Sequence, residues 1–190
     1  MKTDDLTATP APTGRLYPLS VEAYHVLGEA GFLPKNTELL YGLVYTKMPK
    51  SPYHTVLIAR LLRAFRSAGP GTYWIRSEQP IICGDSEPEP DVSVVTGTED
   101  DYLRAHPRTA ELVVEVCVTS HDYDRSKLRA FATAQVKECW LALGPEKQIE
   151  AHRKPVNGVY TEMTVFGPGG EIVSASLPGL RIGLDQLFRS

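Results

Sequence analysis

Asp91 follows Glu87-Pro88-Glu89-Pro90 and opens the apolar run Val92-Ser93-Val94-Val95, while Glu115 stands inside the apolar run Leu112 to Val118. In a strand, side chains alternate between faces, so Val113, Glu115 and Cys117 share one face and Leu112, Val114, Val116 and Val118 the other. Both faces are mostly apolar, which marks a central strand. A lone carboxylate there is costly unless its pKa shifts or it meets a cation. If the two runs pair, Asp91 and Glu115 converge at one end of a sheet. Two or three hard oxygens close together are what Mg2+ or Mn2+ accepts. Position alone supports the structural alternative equally: Glu115 pairing with a core Arg or Lys, and Asp91 capping a turn.

Lys127 is the third residue of interest. The stretch "DYDRSKLRAFATAQ" reads as one helix capped by Asp122 or Asp124, with Leu128, Phe131 and Ala132 on one face. Lys127 then sits near its first turn, where the helix dipole disfavours a cation by about 0.3–1 kcal/mol. A lysine set against the dipole can be aimed at an anion. The plainer reading is a snorkelling surface lysine paired with Asp124.

The elements that must position these groups can be read in outline. Residues 1–15, rich in Thr, Ala and Pro, read as a disordered tail, and 16–190 as a single domain. Ser20 caps a short helix to about Ala30 that keeps Glu22 and Glu29 outside. "TELLYGLVYTKM" reads as a hairpin turning at Gly42. "SPYHTVLIARLLRAFRSAG" is an amphipathic helix with Leu57, Ile58, Leu61, Leu62 and Phe65 inward and Gly69 as its stop. Strand candidates follow in "TYWIRSEQPIIC", interrupted by Pro80, in "DVSVVTG" and in "ELVVEVCV". After the Lys127 helix come "KECWLAL" and a hairpin on Asn157-Gly158. The order implies an α/β domain with a mixed central β-sheet flanked by α-helices.

The bulk composition narrows the function. The 190 residues are 42% hydrophobic and 23% charged, with a formal net charge of -3. A nucleic-acid partner would therefore have to be held by a local basic patch. One candidate is Arg60, Arg63 and Arg66, a stripe that could touch phosphate or could simply be a solvated helix face. The three cysteines, Cys83, Cys117 and Cys139, form no CxxC pair and fit a reducing cytoplasm. No apolar run is long enough to span a membrane, and no secretory signal opens the chain.

Acid after proline, acid within an apolar strand, then lysine on the next helix: this order resembles the PD-(D/E)XK nuclease superfamily, and within it the Uma2 family of restriction-type endonucleases. The resemblance is carried by "ELLYGLVYTKMPKSPYH", "EPDVSVV", "ELVVEVCVTSHDYDRSKLRAFATAQVKECWL" and "LPGLRIGLDQLF", in that order. It implies a restriction-endonuclease-like core and metal-dependent cleavage of DNA. Asp91 and Glu115 would hold Mg2+ or Mn2+ with the Val116 carbonyl, and Lys127 would orient or help deprotonate the attacking water. The superfamily lysine two residues after the strand acid is absent, that position being Cys117; Uma2-like sequences similarly carry it on the following helix. Glu38 matches a further acid that binds metal directly or through water, and His54 stands where the family often has histidine. Asp124 is a possible accessory. Restriction-type enzymes usually cut as dimers, so the resemblance also implies a homodimer. Two departures stand out: Cys117-Val118-Thr119 replaces the usual aliphatic-Ser-Pro, and Tyr41 replaces the usual aspartate before the hairpin glycine.

Two other readings compete with the nuclease. One is a catalytically inactive restriction-endonuclease-like fold that binds nucleic acid or protein. The other is a metal-free hydrolase using Glu38 and Glu115 as an acid/base pair. Two mutually repelling buried acids would also make Glu115→Ala stabilising in metal-free buffer.

Overall fold

In the computed structural model, residues 14–68, 72–119 and 121–189 are described. The tail expected over residues 1–15 lies almost wholly outside them, as does Gly69. Ser20 accepts a hydrogen bond from the Ala23 N–H and starts α1 (Val21–Glu29), with Glu22 and Glu29 exposed as expected. The first hairpin pairs β1 (Thr37–Leu40) with β2 (Leu43–Thr46). Its tip needs left-handed backbone at two successive residues, Tyr41 (φ 54°) and Gly42 (φ 75°). At Gly42 a side chain would also strike Pro18, whose Cβ lies 2.3 Å from the position of an added Cβ.

Next comes α2 (Pro52–Ser67), started by Ser51 accepting from the His54 N–H, with Pro52 at the first helical position. A six-stranded sheet follows in the order β3 (Tyr73–Ser77), β4 (Val92–Thr96), β5 (Leu112–Cys117), β6 (Glu138–Leu143), β7 (Gln148–Val156) and β8 (Val159–Phe166). Only β5 and β6 run parallel, so the sheet is mixed. Their crossover is α3 (His121–Ser126) and α4 (Leu128–Thr133). The chain closes with the small hairpin of β9 (Glu171–Val173) and β10 (Arg181–Gly183), then α5 (Leu184–Leu187).

The alternation expected of β5 holds. Leu112, Val114 and Val116 pack with Leu57, Ile58, Leu61 and Phe65 of α2 and with Trp140, which meets Phe65 edge-on. Val113 and Cys117 face the other way, against Ala130 and Phe131 of α4. Every residue of β5 is buried, so Glu115 lies in the centre of the sheet, 2% exposed.

Two details differ from the sequence reading. The first is β3, which ends at Ser77, well short of Cys83. The second is the helix expected from Asp122 to Gln135, which is two short helices meeting at Lys127. Neither Asp122 nor Asp124 caps it, because α3 has already begun at His121 and both lie within its first turn.

Candidate active site

The antiparallel register Val92↔Val114 sets Asp91, the residue before β4, across from Glu115 on β5. Pairing with β4 stops there, so the Val116 N–H is free to donate to Asp91 Oδ2 at 2.8 Å. The backbone of Asp91 is fixed from β3, where Ser77 Oγ donates to its carbonyl at 3.1 Å. On the helix side, His54 Nε2 lies 3.1 Å from Oδ2 and Lys50 Nζ 3.6 Å from Oδ1. Burial opposes ionisation of Asp91, but His54, the Val116 N–H and Lys50 together hold its carboxyl below the ordinary range.

Glu115 has a different environment. Burial pushes its carboxyl well above the usual range, Lys127 opposes that, and the negative charges of Asp91, Asp124 and Glu38 add to it. Lys127 Nζ lies 3.3 Å from Glu115 Oε1 and 3.1 Å from Glu38 Oε1, with its side chain 5% exposed. Burial disfavours that ammonium, but Glu115, Glu38 and Asp124 outweigh it and raise the Lys127 pKa. Glu38, from the buried strand β1, also accepts from Tyr123 OH at 2.9 Å and from the Glu89 N–H at 3.0 Å. The Tyr123 ring lies under the Lys127 ammonium, 5.1 Å from its centroid.

One contact interrupts the helical ladder between α3 and α4. In an unbroken helix the Ala130 N–H would donate to the Ser126 carbonyl. Here the Tyr41 hydroxyl stands between them, donating to Ser126 O and accepting from the Ala130 N–H at 3.1 Å. A side chain inserted into the helical ladder bends or breaks it. Arg129 stacks over the Tyr41 ring at 4.1 Å and holds it there. Lys127 is therefore the hinge residue between two short helices, not a member of the first turn of one long helix.

These groups line one cavity of ≈ 390 Å³, together with Lys47, Lys50, Glu78, Glu89 and Thr119. Asp91, Glu115, Val116, Lys127, Glu38, His54 and Asp124, all singled out from the sequence, meet there. Three contributors were not foreseen. Tyr123 orients Glu38, while Lys50 and Lys47 stand at the mouth, paired with Glu78 and Glu89. Tyr123 sits four residues before Lys127, one helical turn, which is the spacing that could have flagged it. The arginine stripe lies elsewhere: Arg60, Arg63 and Arg66 line no part of this cavity, and Arg60, midway along α2, donates to the carbonyls of Leu187 and Arg189.

Among the described residues, no three His, Cys, Asp or Glu side chains are arranged to hold a metal ion. The Lys127 ammonium lies between Glu38 and Glu115 instead. The donors nevertheless suit a small hard cation. Glu115 Oε1 is buried, and its ion pair with Lys127 Nζ at 3.3 Å lacks hydrogen-bond geometry; the Asp91 carboxylate lies across from it, just before β4. Mg2+ needs one or two carboxylates, with water supplying the rest of its shell.

The sequence model of the Uma2 family, described as "Putative restriction endonuclease", matches residues 22–185. The chain belongs to the Uma2 family. Among solved structures, a protein from Anabaena variabilis described as a "putative nuclease belonging to DUF820" superposes with a TM-score of 0.74. The match covers 90% of this chain and 98% of that one at 16% sequence identity, so it shows a shared fold. No curated protein sequence matches the chain. Uma2 membership and the mixed sheet agree with the restriction-endonuclease-like core expected from the sequence, and the family points to a nuclease.

Proposed function

We propose that this Uma2 protein hydrolyses phosphodiester bonds of DNA with a divalent cation, Mg2+ or Mn2+. Asp91 and Glu115 would hold the cation, with the Val116 carbonyl beside them. Such a cation polarises a phosphoryl oxygen and acidifies a water. The observation that carries the reading is the contact of Lys127 with Glu115, at 3.3 Å, in the cavity that also contains Asp91. Lys127, held between Glu115 and Glu38, would donate hydrogen bonds to a water and to phosphate oxygens. Glu38 and Tyr123 keep its Nζ in place, and His54 orients Asp91. The reading includes a homodimer working in the cytoplasm. Three buried free cysteines are compatible with a reducing compartment, and among the described residues no helix is long and apolar enough to cross a membrane.

One observation favours the inactive, binding-module alternative: Lys127, His54 and Lys50 already meet the acids as internal partners. Cleavage assays separate the two. Incubation of a supercoiled plasmid with the protein in Mg2+ or Mn2+ should nick or linearise it, and EDTA or Glu115→Ala should abolish the cut. Intact plasmid under all metal conditions would leave only the binding module, and cutting that survives EDTA would favour the acid/base hydrolase.

A further inference from the structure

A second groove, of ≈ 540 Å³, lies between the C-terminal half of α2 and the β10–α5 corner. It shares no residue with the acidic cavity. Its charged lining is Arg60, Arg63, Arg181 and Arg189, and among the described residues no Asp or Glu lines it. That is a marked bias in a chain with 20 Lys and Arg against 23 Asp and Glu. The acidic cavity is the reverse case, lined by six carboxylates against three lysines.

Gathering four guanidinium groups is unfavourable unless something negative is held between them. Arg60 is partly committed, its Nη1 donating to Leu187 O at 2.9 Å and Arg189 O at 2.6 Å. That clamp ties the chain's end to α2 and shapes the groove. Among the described residues Arg181 pairs only with the exposed Glu171, at 3.3 Å. Arg63 and Arg189 are exposed, and among the described residues neither makes an ion pair. Ser67 and Gln186 add neutral hydrogen-bonding groups to the same wall. Planar guanidinium forks on one groove match phosphate oxygens. Arg63 stands nine residues beyond His54 on α2, a rise of about 14 Å or the length of about four base pairs of duplex.

We infer that the Arg60–Arg63–Arg181–Arg189 groove is a phosphate-binding site that grips the backbone of a nucleic acid outside the acidic cavity. The inference rests on the nuclease reading for the identity of the polyanion, and on the groove itself for its place. It explains how an acidic protein keeps hold of a substrate that its acidic cavity repels.

The test is anisotropy of a fluorescein-labelled DNA duplex titrated with the full chain in EDTA over a KCl series. For R63E/R181E the expected affinity is about tenfold lower at ~0.1 M salt, and the slope of log affinity against log salt smaller by about 2. R66E, an exposed arginine of the same helix outside the groove, should bind like the wild type. Four results would each overturn the inference: an unchanged double variant, an equal loss in R66E, no DNA binding by the wild type, or Arg63-dependent binding to phosphatidylserine vesicles in place of DNA. Failure of the nuclease reading looks different. It is a wild type that binds the duplex through Arg63 and Arg181 yet never cuts it when Mg2+ or Mn2+ is supplied.

Discussion

The Tyr41 hydroxyl holds the Ala130 amide away from the Ser126 carbonyl that it would bond in a continuous helix. That contact joins the tip of the first hairpin to the hinge carrying Lys127. Tyr41→Phe keeps the ring and removes the oxygen. The expected result is a re-formed Ala130-to-Ser126 bond, a displaced Lys127 and lower turnover, with stability changing by no more than about 0.5–1.5 kcal/mol. Hydrogen exchange at Ala130 alongside the plasmid assay checks it. Altered exchange with undiminished turnover would disconnect Tyr41 from Lys127.

Glu115→Ala should destabilise the metal-free protein, the reverse of the sign expected from repulsion between two acids alone. Glu115 and Glu38 share the Lys127 ammonium, so Glu115→Ala removes one of its two carboxylate partners and leaves the other. Lys127→Ala should cost more, about 3–5 kcal/mol, since it leaves both acids without their common cation. Urea unfolding in EDTA decides it; a midpoint that rises in either variant would restore the repulsion argument.

Glu138 supplies a pH prediction away from the site. It is fully buried, and although burial opposes its ionisation, Trp140, Ser174 and Arg153 hold its carboxyl below its ordinary value of 4.5. Between the native and unfolded values the unfolded chain binds more protons, so stability is complete above about 4.5 and falls as pH drops through the native value. Glu138→Gln should flatten the loss of urea midpoint below that pH. It should also be less stable at neutral pH, because Oε2 accepts from the Ala175 and Ser176 N–H groups. A profile that stays parallel to wild type would remove Glu138 from the acid transition.

How much of this was legible in the sequence depends on how local each cause is. Strand alternation and the Pro90 break are local, so Asp91 and Glu115 could be named, but their approach depended on the pairing of β4 with β5, which the sequence offered only as a condition. Lys127 could be named from spacing, but not its setting, because the hydroxyl that breaks its helix arrives from a hairpin far back in the chain. Tyr123 carried only its one-turn spacing from Lys127, and Lys50 no local signal beyond a loop lysine. The arginine stripe showed its periodicity but not its surroundings, since Arg181 and Arg189, which line a groove with Arg60 and Arg63, come from far along the chain.

The most direct test of the central claim, that Asp91 and Glu115 form a divalent-cation site beside Lys127, is titration calorimetry with Mn2+. The wild type should bind Mn2+, Asp91→Ala and Glu115→Ala should give no binding heat, and Lys127→Ala should bind while failing to cut DNA. No heat from the wild type, or unaltered binding after loss of Glu115, would contradict it.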